Sequence, residues 1–112
     1  MSFQNQFTKT TTDANLMETV HHGSAEYPFR YYYENIALFD FKCIDWHCHS
    51  ELEFIYIKSG NVVFDIGTVH FELNEGNGIM INSKILHRLQ SSSDAIIPNF
   101  LFQPSFIAPQ DS

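Results

Sequence analysis

Trp46-His47-Cys48-His49-Ser50-Glu51-Leu52-Glu53, with Gly60 downstream and His87 inside Asn82-Ser83-Lys84-Ile85-Leu86-His87, decides how this chain reads. On a strand, His47 and His49 share a face about 6–7 Å apart because side chains alternate with a period of two, and Cys48 faces the other way. Glu53 has the same parity, but along a straight strand rising ~3.3 Å per residue it would lie roughly 20 Å from His47. A turn is therefore expected at Ser50-Glu51-Leu52, so that Glu53 opens a new strand beside the first while His87 arrives from elsewhere in the sheet. Together, the imidazoles of His47, His49 and His87 and the carboxylate of Glu53 suit a divalent ion, Zn, Ni, Fe, Mn or Co, with positions left open for water or ligand. The same side chains also fit a plainer role, as polar groups that line a ligand pocket and hydrogen-bond to one another or to water.

The 112 residues make one domain, large enough to bury a core without disulfide or metal support. Eleven Phe and five Tyr belong to a β-rich globular protein. No apolar run approaches the ~18 residues that span a membrane, and Met1-Ser2-Phe3-Gln4-Asn5-Gln6 is no signal peptide, so a cytoplasmic protein is expected. A net charge of -7, with Lys9, Arg30, Lys42, Lys58, Lys84 and Arg88 scattered, argues against this segment following a phosphate backbone. Cys43 and Cys48 have opposite parity and should stay apart as reduced thiols. Cys43 shares the parity of the histidines and joins the pocket candidates, although a small core residue is the plainer account of it.

Residues 1–24 lack sustained alternation and read as a poorly structured arm, with at most a short helical turn around Leu16, Met17 and Val20. Residues 25–112 are expected to form the globular unit. Phe29 to Tyr33 and Ala37 to His49 read as strands, the second placing Phe39, Phe41, Cys43, His47 and His49 on one face. Glu53 to Lys58 is apolar on both faces, the mark of a covered central strand or of a dimerisation surface. Asn61 to Ile66 and Val69 to Leu73 flank Gly67-Thr68, a pair suited to a type II′ hairpin. Ile79 to Asn82 and the shared face of Ile85, His87 and Leu89 follow, and Ala95 to Gln103 closes the pattern, its Pro98 pushing it toward an edge or a bulge. About seven or eight short strands separated by turns argue for an all-β fold, a small antiparallel β-barrel whose interior takes side chains or one small ligand. By parity the pocket wall is His47, His49, Glu53 and His87 over Phe39, Phe41, Cys43, Ile55 and Ile57. Trp46 is expected outside the barrel, and His21, His22 and His70 on the surface.

His47-x-His49-x-x-x-Glu53 with Gly60 resembles the first motif of the cupin superfamily, and Gly76 through His87 resembles the second. Phe41 sits where the first motif has its leading Gly, Asn82 where the second has Pro, and Lys84 where it has Gly. The resemblance implies a double-stranded β-helix, or jelly roll, with His47, His49, Glu53 and His87 at the positions that bind metal in metal-bearing cupins. A closer resemblance runs from His22-Gly23 and Pro28-Phe29 through Trp46-His47, Glu51-Leu52-Glu53-Phe54, Glu75-Gly76 and Gly78-Ile79, Ile81-Asn82-Ser83 and Leu86-His87 to Pro104-Ser105-Phe106. It is to the N-terminal sensor domain of AraC-type bacterial transcription regulators. That resemblance implies a small-molecule effector, a sugar or other small metabolite, and a homodimer. It also implies an arm that folds over the ligand, and DNA contact only through a C-terminal helix-turn-helix domain expected in the full-length protein. The rival expectation is a stand-alone metal-dependent cupin enzyme, an oxygenase or isomerase, for which the sequence offers no separate acid or base beyond Asp45, whose parity places it near His47.

Overall fold

Alternating side chains in the middle of the chain become alternating burial, and the turns between them fold the strands into two facing sheets. The computed structural model describes residues 7–20, 22 and 28–107. Its strands are β1 (Phe29–Asn35), β2 (Cys43–His47), β3 (Leu52–Tyr56), β4 (Asn61–Ile66), β5 (Val69–Asn74), β6 (Gly78–Ile81), β7 (His87–Gln90) and β8 (Ile96–Phe102), followed by one helical turn, α1 (Pro104–Ile107). The sheets run β1-β8-β3-β6 and β2-β7-β4-β5, antiparallel throughout, the arrangement of a jelly roll. Ile55, Ile81 and Ile97 from one sheet meet Val62, Phe64 and Leu89 from the other in a buried apolar core, where Phe64 stacks on Phe71 of β5.

Glycine is required at two turns. Ile66 pairs with Val69 across Gly67-Thr68, and Gly67 has φ +57 while Thr68 does not share a positive φ, which suits the expected II′ hairpin and excludes I′. Gly60 has φ +83, and a Cβ there would sit 2.5 Å from the Asp94 carbonyl oxygen.

Two expectations change. Ala37–Lys42 is not strand: the Asn35 side chain accepts from the Ala37 N–H and caps a 3-10 turn over Ile36–Leu38, and a second turn covers Asp40–Lys42. Within it Phe41 (φ 60) and Lys42 (φ 51) are left-handed, which ends any alternation and throws the Phe41 ring outward, 99% exposed. The second change is at β3, which does not lie beside β2. After the turn at Ser50-Glu51 the chain crosses to the other sheet, so Glu53 faces the histidines across the barrel. Of the edge and the bulge expected at Pro98, the edge is excluded because β8 runs between β1 and β3, and the bulge holds. The pairing slips by one residue there, from Ile55↔Asn99 to Ser59↔Ile96, a bulge that removes the need for the missing N–H.

The outer faces of the two sheets differ. On β2-β7-β4-β5 the Arg88 guanidinium donates to Asp65 (3.0 and 3.2 Å), His70 bonds the other Asp65 oxygen at 2.5 Å, and Arg88 lies 4.9 Å over the Trp46 ring. Trp46 thus packs outside the barrel, and His70 is at the surface as expected. On β1-β8-β3-β6 the outward positions form cross-strand rows, Tyr31-Phe100-Phe54-Met80 at the centre and Phe29-Phe102-Leu52 beside it.

Residues 7–20 form no named strand or helix. Asp13 Oδ1 accepts from the N–H groups of Asn15 and Met17 and makes a turn where the sequence suggested a helical one. The segment is held on the barrel by single bridges: the Glu18 N–H donates to the Cys48 carbonyl (2.8 Å), the Cys48 N–H to the Leu16 carbonyl (2.9 Å), and the Asp45 N–H to Thr10 Oγ1.

Candidate metal centre and ligand pocket

His47 closes β2, His87 opens β7, and the two are register partners. His49 lies on the crossing segment just past β2, and Glu53 is the second residue of β3. All four side chains are buried, His87 completely. The backbone sets each imidazole. His47 Nδ1 donates to the Asp45 carbonyl (2.7 Å), His49 Nδ1 to the Glu51 carbonyl (3.0 Å) and His87 Nδ1 to the Ile85 carbonyl (2.7 Å). A carbonyl only accepts, so each Nδ1 carries a proton and each ring turns its Nε2 inward. Asp45 contributes through its main chain, while its carboxylate accepts from the Trp46 N–H.

The four ligand atoms lie within 4.8 Å of one another. Glu53 Oε1 is 3.2 Å from His49 Nε2 and 3.3 Å from His87 Nε2. The second contact is close enough for charge attraction but lies outside hydrogen-bond geometry. His87 Nε2 is the buried side-chain atom left without a partner among the described residues. The proton that His49 Nε2 donates to Glu53 Oε1 is the positive centre these side chains share. Burial pulls the His47 pKa down to about 4, helped by His87. Burial also opposes charge on His49, but the hydrogen bond and charge of Glu53 prevail and raise it to about 9. Burial opposes ionisation of Glu53 too, and the hydrogen bond from His49 together with the close approach of His87 outweighs it, holding its pKa far below the carboxylate range. A divalent ion would replace that proton as the shared positive centre and would satisfy His87 Nε2, so the residues present fit a metal.

Above these side chains is a cavity of about 50 Å³. By volume it holds an ion's outer ligands and roughly three or four water-sized groups. His47, His49, Glu53 and Phe39 line it. Opposite stand Glu34 and Tyr32 from β1 and Asn99 from β8, with Phe7, Thr10, Glu18, Val20 and His22 closing it from the N-terminal side. Asn99 Nδ2 donates to Glu34 Oε1 (2.9 Å), and burial pushes the Glu34 pKa up to about 7 against that bond. Tyr32 rises to about 12, from burial and then from the Glu34 charge.

The structure departs from the parity reading at several pocket residues. Phe41 and Cys43 border a shallow outer depression with Asp40 and Asp45, and Ile55 lies in the apolar core behind the cavity. His22, expected at the surface, is buried: its Nδ1 is 2.7 Å from the Tyr32 hydroxyl, its Nε2 meets Glu18, and its N–H donates to Glu51 Oε2 (3.1 Å). No periodic signal in the sequence singled out His22. Glu34 and Asn99 do share strand parity with buried neighbours, a weak sign of inward-facing polarity. His21 lies outside the described residues.

The family described as "AraC-like ligand binding domain" matches residues 39–108, a span that carries all four candidate ligands. The chain belongs to this family. A relative in Bacillus subtilis (strain 168), the uncharacterized HTH-type transcriptional regulator YdeC, is 32% identical over 101 residues, 88% of this chain. The AraC-like domain here spans 35% of that relative's length. Among solved structures, an RmlC-like cupin from Shewanella frigidimarina superposes with a TM-score of 0.61 at 15% identity, covering 75% of this chain and 70% of the other. A cupin superfamily protein from Desulfitobacterium hafniense gives 0.54 at 8% identity, over 67% and 63% of the two chains. At these identities the likeness is one of fold, and the fold is a cupin barrel. Among the described residues no helix is long and apolar enough to cross a membrane.

Proposed function

We propose that this AraC-like domain holds a divalent metal ion on His47, His49, Glu53 and His87 and takes a small-molecule effector into the cavity above it. The observation that carries the reading is the convergence of three imidazoles, each fixed by a backbone carbonyl, on Glu53, with His87 Nε2 left unsatisfied. Bound there, the ion would act as a Lewis acid, fixing a hydroxyl or carboxylate of the effector. Glu34, Tyr32 and Asn99 would accept or donate the opposing hydrogen bonds, and the cavity must widen before a sugar fits. The domain would then serve, without turnover, as the effector-binding half of a cytoplasmic, homodimeric transcription regulator whose DNA contacts belong to a separate helix-turn-helix domain. The arm, placed at 1–24 against a barrel of 25–112, would close over the bound effector.

Elemental analysis of protein purified without an affinity-metal column, beside a His47→Ala/His49→Ala variant, tests the ion. Near-zero metal in both would sink it. Calorimetric titration of metal-loaded protein with hydroxy acids and sugars tests the effector.

One observation favours the enzymatic alternative, an oxygenase or isomerase. Glu34, a buried carboxyl whose pKa is about 7, faces the same cavity and has the properties of a general base. Metal-dependent product formation lost in Glu34→Gln would establish that reading over the sensor.

A further inference from the structure

The geometry points to an effector that carries a primary ammonium group, bonded to Glu34 at the end of the cavity away from the metal ligands, with a carboxylate or hydroxyl at its other end. The inference rests on the proposed effector site and names the chemical class that fits it.

The two ends of the cavity lie on different strands. His47, His49 and Glu53 make one end, and Glu34 of β1 makes the other. Glu53 and Arg30 both pair with Leu101, so Glu34 stands two strands across the sheet from Glu53 and four residues along it. At about 4.8 Å per strand and ~3.4 Å per residue the two backbones are roughly 15 Å apart, and once both side chains have reached inward a span of a few atoms remains. The cavity volume of about 50 Å³ agrees with that span. It suits a molecule of about four to six non-hydrogen atoms, one end of which takes the place of the ion's outer ligands.

Charge selects the group at the Glu34 end. Glu34 is 6% exposed, and its carboxyl meets one donor, the Asn99 amide on Oε1 (2.9 Å), while among the described residues Oε2 takes no hydrogen bond. A buried carboxylate needs a partner of opposite charge or several donors, and one neutral amide is neither. Its charged surroundings are mostly of the same sign. Burial, with repulsion from Glu53 and Glu18, raises its pKa to about 7 against the Asn99 bond and the weaker pull of His22. Lys9, the one Lys or Arg on the lining, is exposed to solvent. An ammonium brings the missing positive charge and three N–H donors. A hydroxyl brings one donor and no charge, and a second carboxylate would be repelled. Phe7, Tyr32 and Phe39 line the same cavity, as aromatic rings do around bound ammonium groups.

Calorimetric titration of the metal-loaded chain with β-alanine, β-hydroxypropanoate and malonate tests it, since the three share one carboxylate end and nearly the same length. β-Alanine should bind at least tenfold more tightly than the other two. In Glu34→Gln, with metal content unchanged, that advantage should vanish. If β-hydroxypropanoate binds as tightly as β-alanine, the inference is overturned and the effector site stands. A preference for the amine that survives Glu34→Gln puts the amine elsewhere in the site and overturns the inference as well. Silence from all three overturns it too, and heat from sugars in the same protein then keeps the effector reading. A chain that takes up no ion fails the metal reading instead, and the same comparison of amine with hydroxyl in metal-free protein decides the Glu34 contact.

Discussion

His47 and His87 face each other across the β2–β7 pairing with ring centroids 4.2 Å apart, and each is tied by Nδ1 to the carbonyl two residues before it. Burial, and then the neighbouring His87, pull the His47 pKa down to about 4, so His47 stands ready as a neutral ligand, and both rings turn Nε2 the same way. Any cation they share must be completed by His49 and Glu53.

Glu53→Gln keeps the volume of that fourth group and removes its charge. Metal content should fall from about one ion per chain to a small fraction of that, because a neutral amide is a poor ligand and leaves the ion's charge uncompensated. Mass spectrometry of the elements in the purified variant reads this directly.

Glu34 sets a pH dependence of its own. Its folded pKa is raised from 4.5 to about 7 by burial, so the stability it contributes is complete below 4.5 and is lost as pH rises through 7. Glu34→Gln keeps an acceptor for Asn99 and cannot ionise. Melts of metal-free protein should show the variant gaining on the wild type between these pH values, by on the order of 2–3 kcal/mol. Parallel curves would show that Glu34 titrates normally.

His22 ties the arm to the barrel through Glu18, Tyr32 and Glu51. In His22→Ala the amides of Glu18 and Cys48, which bridge arm and barrel, should exchange roughly 5–100 times faster, corresponding to ~1–3 kcal/mol of lost buried hydrogen bonding. Amides of Ile55 and Phe64 should keep their protection.

Phe41 has φ 60, a left-handed conformation that its Cβ opposes, and its ring touches solvent almost completely. Phe41→Gly should stabilise the protein by about 0.5–1 kcal/mol, the relief of the left-handed penalty less the added freedom of the unfolded chain. Phe64→Ala, by contrast, removes a fully buried ring stacked on Phe71 and should cost about 3–5 kcal/mol. Chemical denaturation of both variants measures the contrast.

Much of the barrel was legible in the sequence, because a strand with one wet face must alternate. Val62 and Phe64 inward, the Gly67-Thr68 hairpin and the convergence of His47, His49, Glu53 and His87 all follow from period two plus the turns that interrupt it. That reasoning failed where local hydrogen bonds overrode parity. Asn35 capped a turn, Phe41 and Lys42 turned left-handed within a second one, and the register slip between Ile44 and His47 in β2 parted Cys43 from the face of the histidines. Strand neighbours were also out of reach. Period two fixes which face a residue takes but not which strand lies beside it, so β3 could be read as β2's partner when it belongs to the other sheet. The sequence by itself therefore determined the strands, the turns and the identity of the candidate ligands. Only the tertiary structure decided that Glu34, Asn99 and His22 join them, because burial of a polar side chain depends on what packs over it. It likewise decided that the second sheet covers one face of β3 and leaves the aromatic face outward, since packing lies between distant segments and has no local period.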